Sequence, residues 1–67
     1  MQLSMKAARV NAGYTQECAA KELKISKTTL SSYENYKTIP DVRICVEMAR
    51  LYHQPVGDII FYREITL

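Results

Sequence analysis

The 67 residues are 48% apolar and carry a formal charge of +2, enough for one small core and too short for a second. This composition argues against disorder. No run of roughly 18 apolar residues could cross a bilayer, and the opening Met1–Val10 lacks the apolar stretch of a secretory signal.

The spacing of apolar residues predicts five short helices and no strand pair, so the expected class is all-α. The first follows Ser4, a good N-cap, and runs to Ala12, where Gly13 supplies the left-handed terminator. Thr15 caps the second, whose Ala19, Ala20 and Leu23 share a face. Cys18 lies within it; Cys18 and Cys45 are isolated thiols beside a single histidine, His53. A metal site or disulfide scaffold is therefore not expected, and both thiols read as buried structural groups in a reducing cytoplasm.

Lys24-Ile25-Ser26 joins the second helix to a third, a link short enough to force a sharp corner between packed helices. On the third helix Thr29, Leu30 and Tyr33 fall on one face, following Ile25. Lys27, Thr28, Ser31, Ser32 and Asn35 fall on the other. A loop through Pro40 and Asp41 opens a fourth helix, Val42 to Tyr52, with Cys45, Met48, Ala49 and Tyr52 on its inner stripe. Pro55 suits the first turn of a fifth helix carrying Val56, Ile59, Ile60 and Phe61. The tail, residues 62–67, alternates weakly and fits a short strand or an arm.

Two features of this layout point to a polyanion. Residues 1–40 hold six basic against three acidic side chains, whereas residues 41–67 hold three against four. A helix, a three-residue turn and a second helix with a polar outer face form the layout of a DNA-binding helix-turn-helix. Its short polar side chains can reach base edges in the major groove. A solvated face on a small helical bundle accounts for the same polar pattern, and spacing alone does not separate the two.

The segment TQECAAKELKISKTTLSSYENYKTIPD resembles the helix-turn-helix of Cro and phage-repressor regulators, the Xre family. The features that match are Thr15-Gln16, Ala20, Leu23, Ile25-Ser26, Leu30, Glu34-Asn35 and Lys37, with Arg9 upstream and MARLY and DIIF downstream. The resemblance covers about residues 4–61, with the motif itself at about 15–35, and implies a five-helix repressor-like domain.

By the same resemblance, Lys27, Thr28, Ser31 and Ser32 read bases. Gln16 touches a phosphate and braces the recognition helix, and Asn35, Lys37 and Thr38 touch the backbone. Tyr36 either joins them through its hydroxyl or only covers the loop. Arg9 and Glu34 match a structural ion pair that joins the first helix to the third.

Three positions depart from the family's usual glycines. Lys24, Tyr36 and His53 each stand just past a helix end where glycine is usual, and a left-handed backbone there strains a side chain. Ala19 replaces a usual leucine, and Cys18 is placed to fill part of the gap.

The function implied is a sequence-specific regulator of transcription acting on a double-stranded DNA operator, expected to be a repressor. It would work as a homodimer in the cytoplasm, nucleoid-associated, prokaryotic or phage-encoded. The fourth and fifth helices or the tail would supply the dimer surface. No cofactor, metal, small-molecule ligand or membrane partner is implied, and nothing in the sequence supports an enzyme. A protein-interaction module on the same fold is the rival reading.

Overall fold

The computed structural model describes residues 2–63. Four helices form the body: α1 Met5–Asn11, α2 Gln16–Leu23, α3 Lys27–Glu34 and α4 Val42–Leu51. Each begins on a hydroxyl or carboxylate that accepts from the third residue beyond it: Ser4 from Ala7, Thr15 from Cys18, Ser26 from Thr29 and Asp41 from Ile44. Those side chains satisfy amide groups that the first helical turn leaves without partners.

The fifth helix is not formed. Pro55 instead precedes a single 3-10 turn, Val56–Asp58, and the chain then extends as β2, Ile59–Ile60. β2 pairs in parallel with β1, Leu3–Ser4, placing Leu3 opposite Ile59 and Ser4 opposite Ile60. Gly57 and Asp58 are weak helix formers, and the β-branched Ile59 and Ile60 favour an extended backbone. The expectation of no strand pair is corrected by this small sheet. Phe61 leaves it half-buried against the core, while residues 64–67 of the expected tail lie outside the described residues.

The core combines Met5 and Ala8 of α1, Ala19, Ala20 and Leu23 of α2, and Leu30 of α3. Ile44, Met48 and Ala49 of α4 close it, with Tyr52 and Ile59. The inner stripe of α4 is thus centred on Ile44, and Cys45 is only half-buried. Its thiol sits 3.6 Å from the Pro40 carbonyl, and burial, helped by nearby Asp41, raises its pKa. Cys18 is exposed, so it neither packs inside nor fills the space left by Ala19, which is itself fully buried.

The three departures from glycine keep the left-handed backbone. Lys24, Tyr36 and His53 have φ of 59°, 59° and 57°, and Gly13 has 86°. Each non-glycine residue there carries a strain of about 1–2 kcal/mol. Lys24 is exposed, so its side chain contributes little to offset that strain. Lys24→Gly is expected to stabilise the domain by about 0.5 kcal/mol, because relief of strain exceeds the extra freedom glycine gives the unfolded chain. In a domain of this size that corresponds to a melting temperature roughly 2–4 °C higher, measurable by thermal denaturation.

Candidate nucleic-acid interface

The recognition face is held in place by one buried carboxylate. Glu34, in the last turn of α3, receives Arg9 Nε at 2.7 Å on Oε2 and Arg9 Nη2 at 3.3 Å on Oε1. Gln16 Nε2 donates to the same Oε1 at 3.0 Å. Arg9 Nη1 donates to the Tyr14 carbonyl at 2.8 Å, fixing the link between α1 and α2. One anion therefore gathers groups from α1, α2 and α3. Both members of the pair are buried, so the charges are strongly coupled and poorly replaced by water.

This network orients α3 with Leu30 and Glu34 inward and its other side outward. Lys27 and Thr28 are exposed at its start, and Ser31 and Ser32 are half-exposed. Thr28 and Ser32 are one turn apart, so they line the same strip. Asn35 closes the helix by donating from Nδ2 to the Ser31 carbonyl at 2.9 Å and to Ser31 Oγ at 3.3 Å. Ser31 is thereby engaged inside the helix, whereas Lys37 and Thr38 are exposed in the following loop.

The Tyr36 hydroxyl points the other way. It donates to the Ile60 carbonyl at 3.0 Å, and the tyrosine ring packs partly into the core. The only proton the hydroxyl can give is directed at β2, which favours the loop-covering role over the phosphate contact.

Lys6, Arg9, Thr15, Gln16, Glu17 and Lys27 surround an open depression of about 610 Å³ beside the start of α3. Lys6 was not among the residues picked from the sequence. It lies three positions before Arg9 on α1, a helical neighbour spacing that could have found it. Lys27 Nζ lies 3.6 Å from Glu17 Oε1, an exposed pair of little energetic weight that leaves the lysine free to exchange partners. Gln16 has a second amide hydrogen beyond the one given to Glu34, so bracing α3 and donating to an anion in the depression are compatible.

The arrangement of two packed helices, a three-residue corner and an outward polar strip decides the family when set beside the known proteins. A family model described as helix-turn-helix matches residues 5–59. The chain belongs to the helix-turn-helix family. The HTH-type transcriptional regulator ImmR of Bacillus subtilis (strain 168) is 41% identical over 62 residues, covering 92% of this chain and 49% of that protein. The chain thus spans about half the length of this relative. No solved structure matches it significantly. Within this helix-turn-helix domain, no helix among the described residues is long and apolar enough to cross a membrane.

Two buried groups near this site carry stability predictions. Arg9→Ala strands the Glu34 carboxylate and is expected to cost about 3–5 kcal/mol, while the paired replacement Arg9→Met with Glu34→Leu recovers most of that loss. Urea denaturation of the three chains tests this; a cost below about 1 kcal/mol for Arg9→Ala would remove the pair from its role.

The second concerns Tyr52, whose ring lies 6.2 Å from that of Tyr14. Its buried hydroxyl has no hydrogen-bond partner among the described residues. Burial, reinforced by nearby Glu34, pushes the phenol well above its ordinary range. A raised phenol contributes stability below its unfolded value of about 10 and loses that contribution as the pH climbs past it. Tyr52→Phe is expected to flatten the loss of stability above about pH 10 and to change neutral stability by under about 1 kcal/mol. Urea midpoints measured from pH 7 to 11 report both.

Proposed function

We propose that this domain binds double-stranded DNA sequence-specifically and regulates transcription, as a repressor, with α3 in the major groove. The observation that carries the reading is the division of α3: its inner side is locked by Leu30 and the Glu34 network, and its outer strip presents Lys27, Thr28 and Ser32. A major groove admits one helix, and bases there differ in their donors and acceptors. Hydroxyls and one lysine are suited to that reading, with Ser31 shaping the strip rather than leading it. Gln16, Lys37, Thr38 and the outer edge of Asn35 supply backbone contacts, and Lys6 joins them from the depression. The similarity to a regulator named as HTH-type and transcriptional supports the same conclusion.

A single domain of this size offers few phosphate contacts, so useful affinity favours two copies on a two-fold operator, with half-sites about 10 bp apart or a multiple of it. Three exposed apolar side chains support such pairing. Ile39 is 68% exposed in the loop after α3, and Val42 and Val46 are 79% and 40% exposed one turn apart on α4. The domain acts in the cytoplasm on this reading, without cofactor and without catalysis.

Gel retardation with a pool of random-sequence duplexes tests the proposal. Binding is expected to weaken with salt, log K falling by about 0.9 per neutralised phosphate against log salt. Lys27→Glu should abolish retardation with the helical signal in circular dichroism unchanged. Thr28→Ala and Ser32→Ala should each relax the selected sequence at one position, by about 1–3 kcal/mol of discrimination. No retardation of any duplex at low salt would instead favour a protein-binding role.

A further inference from the structure

Arg63 lies beyond the stretch, residues 5–59, matched by the family model. Its guanidinium carbon sits 4.7 Å from the centre of the Tyr36 ring. Tyr36 is the second residue after α3, and the exposed Lys37 follows it directly. The end of the described chain is therefore carried back to the loop at the C-terminal end of the recognition helix.

The ring that holds it there is fixed from several directions. Tyr36 keeps a left-handed backbone that glycine would adopt without strain. Its ring packs against the core and its hydroxyl donates to the Ile60 carbonyl, three residues before Arg63. The tyrosine thus anchors the segment leaving β2 and offers its outer face as a platform. A cation over that face is attracted by the ring's negative surface. Stacking occupies the flat side of a guanidinium and leaves its rim of N–H donors open, a fork matched to phosphate oxygens.

We propose that Arg63 is a DNA backbone contact, set against the same phosphate run as Lys37 and positioned by the Tyr36 ring. The proposal rests on the DNA-binding reading above. It gives Tyr36 a part in the interface that its own hydroxyl does not play, as the support for a neighbouring cation. A phosphate contact of this kind strengthens binding on all sequences alike and carries no sequence preference of its own.

The test is fluorescence anisotropy of the 67-residue chain on a labelled random-sequence duplex, between about 50 and 200 mM salt. Arg63→Gln should lower the steepness of log K against log salt by about 0.9 per bound chain, with selected sequences unchanged. Tyr36→Ala should lower it by the same amount, and the double variant by no more than either alone. Tyr36→Phe keeps the ring and should keep the wild-type slope even where loss of the bond to Ile60 lowers the melting temperature. A wild-type slope for Arg63→Gln overturns the proposal and leaves Arg63 as a pin for the tail. Failure of the wild-type chain to bind any duplex overturns the DNA reading itself, and the wild-type titration in the same series identifies that case.

Discussion

A carboxylate almost out of reach of water is the constraint on which the rest of this domain depends. Glu34 is nearly covered, and its two oxygens are claimed by Arg9 and Gln16 from two other helices. Desolvating a charge is expensive, so the pair persists only with good geometry and fully used donors and acceptors. The same demand makes the network directional. A hydrophobic contact would let α3 roll by several degrees at little cost, whereas three hydrogen bonds to one carboxylate fix both its roll and its distance from α1 and α2. For a domain whose outer strip consists of short side chains, that rigidity matters, because hydroxyls cannot stretch to correct a misplaced helix.

Elsewhere the chain accepts strain and a thin core. Lys24, Tyr36 and His53 hold left-handed backbones without being glycine, and Ala19 fills a core position with a small side chain. Their compensations differ. Tyr36 returns packing and a hydrogen bond to Ile60, while Lys24 is exposed and returns little. Tyr52 buries a hydroxyl that no described residue accepts. Each of these is worth about a kilocalorie per mole, which is a sizeable share of the stability of so short a chain.

Most of the helical scaffold was legible because its signals are local. Ser4 and Thr15 cap the first two helices as their residue types predict, Gly13 ends the first, and the third and fourth start just past Ser26 and Asp41 as expected. The corner at residues 24–26 followed from its length alone. What could not be read depended on distant partners or on weak local preference. A two-residue ladder between Leu3–Ser4 and Ile59–Ile60 has no periodicity to detect, and its absence from the expected layout left the last segment looking like a fifth helix. Cys18 was expected inside because cysteine usually is, but it falls on the outer side of α2. Tyr36 left two roles open in the sequence, and its direction was set by the Ile60 carbonyl, 24 residues along the chain.

That small ladder also orders events during folding. The corner between α2 and α3 closes over a few residues, while Leu3 must find Ile59 across nearly the whole domain. Closing a longer loop costs more chain entropy and comes later unless other contacts have already drawn its ends together. Packing of α1 and α4 onto the central pair performs that drawing together. On a ribosome, the first strand has to wait unpaired until the last turn of the domain emerges, so the motif's inner pair of helices has time to assemble before its outer edge is sealed.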